Sequence, residues 1–282
     1  NPQSPIPIKK IISLNKIVYS MKSIKILFKI MKKYKYDFLP SKLDKIYYRI
    51  TSEDSRIKIS EEKISSFPYS AIGLLKVTYP HNTISYRTGV LISENIVLTA
   101  GHNLFDARKN PNSTSELLGY PINIEFYPGL TNNQSIFEKC ECDKFFTNIN
   151  KKRNEDYGII ILKESIGKKT GFFNLKIFDE KNDMKNICFN CGYPLNKTTG
   201  DNNIFYQYED KGNILEIENN DTIVSGIKSS YGQSGSGLFF CKDNKYYVIG
   251  VHVASSFDDK SFYATMITKK RFEQIEKWIK EI

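Results

Sequence analysis

Histidine is scarce in this 282-residue chain, which holds only His81, His102 and His252 beside a single tryptophan. Any search for an imidazole base is therefore short. Long apolar runs are missing too: no uninterrupted stretch approaches the roughly 20 residues that a membrane-spanning helix needs. Cysteines number five, Cys140, Cys142, Cys188, Cys191 and Cys241, so they cannot all pair within the chain. Cys188 and Cys191 have no second Cys-x-x-Cys partner pair, which argues against a metal set, and neither a metal nor a cofactor is expected. One or two disulfides with a free thiol, and five reduced thiols, are both compatible with the sequence.

Acidic charge is lacking in one place. Residues 1–49 carry eleven lysines and Arg49 against Asp37 and Asp44, a surplus of ten that equals the whole chain's formal charge of +10. The remainder is neutral, so the basic character belongs to an appendage. Within it Leu14, Ile17, Met21, Ile24, Phe28 and Met31 recur by three and four among lysines, the pattern of a basic amphipathic helix. A pro-region that is removed is the first reading, helped by the basic-then-apolar junction Arg49-Ile50; a helix on an anionic membrane and a solvated arm follow. Nucleic-acid binding is disfavoured, because the rest of the chain has no net charge and the lysines lack an aromatic platform. The chain begins at Asn1 without a Met, which leaves room for an upstream signal peptide. Sequons at Asn112, Asn133, Asn196 and Asn220 fit a secreted glycoprotein.

The most informative segment is Ser230-Tyr231-Gly232-Gln233-Ser234-Gly235-Ser236-Gly237, ahead of the apolar run Leu238-Phe239-Phe240. Glycines let a backbone turn sharply and approach a substrate, so a reactive hydroxyl and oxyanion-binding N–H groups can face it together. Ser234 is the candidate nucleophile, although Gly/Ser-rich turns before strands are also plain loops.

A base and a carboxylate lie upstream. His102 ends the two β-rich runs from Gly89 to Ala100, joined by a Ser93-Glu94-Asn95 turn, whereas His81 sits in a polar turn after Pro80. Asp156 stands where a polar stretch gives way to Gly158-Ile159-Ile160-Ile161-Leu162, a place from which a carboxylate can accept an imidazole N–H. Each residue alone has an ordinary structural reading; the order His, Asp, Ser, each at the edge of a β-run, carries the weight.

Taken together, Leu98-Thr99-Ala100-Gly101-His102, Asp156-Tyr157-Gly158 and Gly232-Gln233-Ser234-Gly235-Ser236 resemble trypsin-like serine endopeptidases, in particular the glutamyl endopeptidase branch. Phe67-Pro68-Tyr69, Gly192-Tyr193-Pro194 and Val248-Ile249-Gly250-Val251-His252 extend the similarity over roughly residues 50 to 282. The resemblance implies an all-β fold of two antiparallel six-stranded β-barrels with a cleft between them and a C-terminal α-helix. Residue patterns agree as far as they reach: β-rich runs are predicted at 70–78, 122–127, 156–162, 186–190 and 246–253. Phe272, Ile275, Trp278 and Ile279 fall at helical spacing.

The same resemblance implies catalysis by His102, Asp156 and Ser234, an oxyanion hole at the Gly232 and Ser234 amides, and an acid-binding pocket using His252 and Ser229. Polypeptides would be the substrates and a monomer the acting species. Preference would vary with pH if His252 titrated in its usual range, and Asp258 and Asp259 would repel an acidic substrate if they lay close. Gln233 stands where digestive relatives carry an aspartate that pairs with a newly cut N-terminus, so that switch is not available. Asn103 replaces a cysteine common beside the histidine. A catalytically silent homologue acting as a binding module is the alternative, disfavoured by the intact His102, Asp156 and Ser234.

Overall fold

The β-structure is a closed barrel, a nine-stranded sheet and a small hairpin of Leu130–Thr131 with Gln134–Ser135, in a computed structural model that describes residues 54–106, 119–148, 155–198, 204–255 and 262–281. The expected arm over residues 1–49 and the pair Asp258 and Asp259 lie outside the described residues. Among them no helix is long and apolar enough to cross a membrane.

The barrel closes through Ile72–Tyr79, Thr83–Leu91, Ile96–Thr99, Gly158–Leu162, Cys140–Thr147 and Asn123–Pro128, each antiparallel to its neighbour. Gly158–Leu162 is buried throughout, so its continuous apolar run is covered on both faces of the barrel wall. Two predicted boundaries move for local reasons. Ser70 belongs to the turn Tyr69–Ala71, where its hydroxyl donates to the Thr170 carbonyl at 2.6 Å. Asp156 and Tyr157 stay out of the strand that begins at Gly158, and Asp156 is thereby left to make other bonds.

The second half is a nine-stranded sheet that forms a half-barrel beside the closed one, so the all-β two-barrel architecture with its C-terminal helix is present. Its ladder runs from Ile57–Lys58 through Tyr208–Gly212, Cys188–Gly192, Gly237–Lys242, Lys245–Ser255, Phe262–Met266 and Thr222–Ser225 to Ile214–Glu218. Asn174–Leu175 adds in parallel to Lys245–Ser255. Tyr208–Gly212 and Ile214–Glu218 sit at opposite ends of the main ladder yet are separated in sequence only by Asn213. One chain run therefore bends at Asn213, whose carbonyl accepts from the Ser225 hydroxyl at 2.9 Å and the Gly226 amide at 3.3 Å. The second half is closed by the covalent chain and left open as a hydrogen-bonded ladder.

The terminal helix Lys269–Lys280 starts at Thr268, whose hydroxyl accepts from the Arg271 amide at 3.3 Å. Ile275 is buried, while Phe272, Trp278 and Ile279 pack against the core. Trp278 stacks on Phe146 at 6.0 Å between ring centres and leans on Tyr157 at 5.5 Å. The helix thus buttresses the strand end beside Asp156.

Candidate active site

His102 lies in the turn Gly101–Asn103, directly after the barrel strand Ile96–Thr99. Gly101 makes the approach to Asp156 possible: a Cβ there would stand 2.9 Å from the Thr147 hydroxyl and 3.0 Å from the Tyr157 amide nitrogen. Asp156 uses both carboxylate oxygens on the histidine. Oδ1 accepts the His102 amide at 2.7 Å, and Oδ2 lies 2.6 Å from His102 Nδ1. This pairing fixes the ring's orientation and leaves Nε2 on the far side of the imidazole. The Asp156 carbonyl accepts from the Thr265 hydroxyl at 3.2 Å, tying the carboxylate segment to the second sheet.

Ser234 arrives from that sheet, ahead of Gly237–Lys242. Its carbonyl accepts the Thr88 amide at 3.1 Å and the Asn103 side-chain amide at 2.9 Å. The residue next to His102 therefore grips the backbone of Ser234. Gly235 is needed for this closeness: at φ +91° a Cβ would stand 2.1 Å from the Thr99 hydroxyl and 2.3 Å from the Thr88 carbonyl. No hydrogen bond joins His102 Nε2 to the Ser234 hydroxyl, and such bonds often tighten only in the complex with substrate. The Gly232 and Ser234 amides donate to no protein acceptor among the described residues, whereas their neighbours do: Gln233 to the Ser230 carbonyl at 3.0 Å and Gly235 to the His252 carbonyl at 2.8 Å.

His252 and Ser229 meet. His252 Nε2 and the Ser229 hydroxyl share a hydrogen bond of 2.9 Å, and that hydroxyl shares another of 2.7 Å with the Ser255 hydroxyl. The His252 ring is buried and stacks on Phe262 at 4.7 Å with planes 3° apart. Burial pushes its pKa down to about 4, so the ring is neutral at neutral pH. The condition under which preference would vary with pH, a His252 titrating in its usual range, is not met, because burial against Phe262 disfavours the charged ring.

A family model described as trypsin matches residues 57–279. The chain belongs to the trypsin family. A glutamyl endopeptidase of Bacillus licheniformis is 24% identical over 248 residues, spanning 85% of this chain and 72% of that protein. An extracellular metalloprotease of Bacillus subtilis is 26% identical over 238 residues, spanning 81% and 69%. Among solved structures, a Glu endopeptidase in complex with MPD superposes with a TM-score of 0.66 at 22% identity, covering 80% of this chain and 97% of that one. Among the described residues, no group of three or more His, Cys, Asp or Glu could hold a metal ion. The protein is a trypsin-like serine endopeptidase.

Within the trypsin family frame the departures gain physical content. Asn103 supplies a hydrogen bond to the Ser234 carbonyl where a disulfide was expected to be missing, and it also donates to the Thr99 hydroxyl at 2.9 Å. All five cysteines are free thiols, and burial pushes Cys140 and Cys188 up to about 12, which keeps them protonated and unreactive. Sequence reasoning missed Thr88, Ser255 and Arg56, and marked Asn103 only as the residue in place of a cysteine. Ser255 was the most accessible of these, three residues beyond His252 on one strand. Thr88 and Asn103 act through long-range backbone contacts that no local motif announces.

Proposed function

We propose that this endopeptidase cuts peptide bonds after glutamate, with Ser234 as nucleophile, His102 as general base and acid, and Asp156 as the group that holds the imidazole. The observation that carries the reading is the pair of hydrogen bonds that the Asp156 carboxylate accepts from His102, together with the Asn103 tether to Ser234. In the first half-reaction the Ser234 hydroxyl oxygen attacks the scissile carbonyl carbon while His102 Nε2 takes its proton. The Nε2 proton then passes to the departing amine, leaving an acyl-enzyme. Water, deprotonated by the same nitrogen, releases the acid and restores Ser234. The free Gly232 and Ser234 amides face the oxyanion that forms twice, and each such donor typically contributes roughly 3–4 kcal/mol.

The glutamate preference rests on His252, Ser229 and Ser255, a linked cluster of two small hydroxyls and a neutral imidazole that can hydrogen-bond a carboxylate. A site built to hydrogen-bond a carboxylate rejects substrates lacking one by about 10⁴-fold, whereas a missing methylene costs only roughly 1–3 kcal/mol. Profiling on a peptide library should therefore show cleavage after Glu, with Asp a modest second; cleavage after Lys, Arg or large apolar residues would overturn the preference. Because kcat/KM reports ionisations of the free enzyme and the free His252 is neutral above about pH 4, the Glu-to-Gln ratio of kcat/KM should stay flat from pH 5 to 8. A ratio rising about tenfold per unit of acidification, one proton per binding event, would mean that the protonated ring binds the substrate.

Residues 1–49 are proposed as a pro-region cut at Arg49-Ile50 from a secreted enzyme; the basic surplus confined to this segment supports the reading. Mass spectrometry of the mature protein should find Ile50 at its N-terminus. An active enzyme that keeps residues 1–49 would overturn the pro-region reading.

A further inference from the structure

Arg56 is a fully buried guanidinium on the segment before Ile57–Lys58, and it ends inside the turn that precedes Ser234. Its Nη1 donates to the Ser230 hydroxyl at 2.5 Å and to Gln233 Oε1 at 2.9 Å. These two residues bracket Tyr231 and Gly232. Gln233 is itself completely buried; its Oε1 also accepts the Ser230 amide at 3.0 Å, and its Nε2 reaches Asn190 Oδ1 at 3.4 Å. The other side of the guanidinium is charge-balanced locally. Nε and Nη2 donate to the two oxygens of Asp54 at 2.9 and 2.8 Å, and Nη2 reaches Asn196 Oδ1 at 3.4 Å. Although burial raises the Asp54 carboxyl's pKa, bonds from Arg56 and Lys197 hold it well below the usual carboxylate range.

Nothing in the hydrolytic steps uses Arg56, yet burying a guanidinium is costly unless its hydrogen bonds are well placed. A neutral glutamine at position 233 cannot pair with a freed ammonium as an aspartate would. Here the cation comes from within the chain, held by a carboxylate two residues away that Lys197 also pairs at 2.7 Å. We propose that Arg56 is a positioning residue that clamps the Ser230–Gln233 turn and preforms the oxyanion hole, so that its geometry does not depend on an amino terminus released by cleavage. This inference rests on the reading of Ser234 as nucleophile and of the Gly232 and Ser234 amides as oxyanion donors.

The mechanism makes the clamp matter where the oxyanion forms and little in the ground state, so its loss falls on kcat. Steady-state peptide hydrolysis and thermal melting of Arg56→Ala and Arg56→Lys test it, with Ser234→Ala measured in parallel. Losing one oxyanion donor typically costs about 10²–10³-fold in kcat. Arg56→Ala should accordingly lose kcat on that order with KM changed less than about threefold, and millimolar guanidinium should restore part of the rate. The lysine, which keeps the charge but offers one donor head where the guanidinium forks, should fall between alanine and wild type. Wild-type kcat in a folded Arg56→Ala, or a loss carried by KM, overturns the clamp. If the alanine variant does not fold, Arg56→Lys decides: a kcat at least tenfold lower with KM unchanged supports the clamp, and wild-type kcat sinks it. A fully active Ser234→Ala would instead overturn the underlying reading of the site.

Discussion

Ser234→Ala should abolish peptide hydrolysis, by on the order of 10⁶ in kcat, while leaving the protein folded. Both halves of the expectation come from how the residue is held. The fold grips Ser234 by its backbone, through the carbonyl that accepts from Thr88 and Asn103. Its hydroxyl forms no hydrogen bond that the fold would miss, so alanine keeps every structural contact and removes only the attacking oxygen. A chromogenic peptide assay with calorimetric melting separates the two: near-background turnover with a melting temperature within a few degrees of wild type agrees, and retained turnover does not.

Asp156→Asn should cost about 10⁴-fold in kcat for a different reason. The carboxylate accepts from two donors of one residue, the His102 amide and ring Nδ1. An asparagine offers a single acceptor oxygen, so one of the donors must face an NH₂ group. If the amide oxygen stays on the backbone N–H, the ring is driven to the tautomer protonated on Nε2 and can no longer take the serine proton. The backbone tether from Thr265 to the Asp156 carbonyl is untouched by the exchange, which keeps the segment in place. Activity should recover partly at high pH, where hydroxide can replace the lost base; a loss of less than tenfold would place Asp156 in a purely structural role.

What was legible in the sequence depended on range. Most barrel strands were legible because apolar and β-branched runs alternate with turn residues, and Gly158–Leu162 needed only its own five residues, whereas the largely polar and half-exposed Cys140–Thr147 gave no such run. The terminal helix was equally local. The site's main residues could be named because glycines flank Ser234 and because His102 and Asp156 sit at strand edges. The structure adds the His102 and Asp156 contact, the Ser229 and His252 contact, and the tether from Asn103 to Ser234. The bend at Asn213, which carries one chain run from one side of the second sheet to the other, was not legible, since no composition signals it. The neutral state of His252 follows from Phe262 and the surrounding sheet closing over the ring, which only tertiary packing decides. Arg56 was invisible for a related reason: its partner Gln233 lies 177 residues away.

A fluorophosphonate reports an activated serine directly, because it reacts where a general base and oxyanion donors converge on one hydroxyl. Labelling the wild-type protein and mapping the modified peptide should place the adduct on Ser234, with the labelling lost in His102→Ala. An adduct on another serine, or labelling of Ser234 that persists without His102, would contradict the assignment of this site.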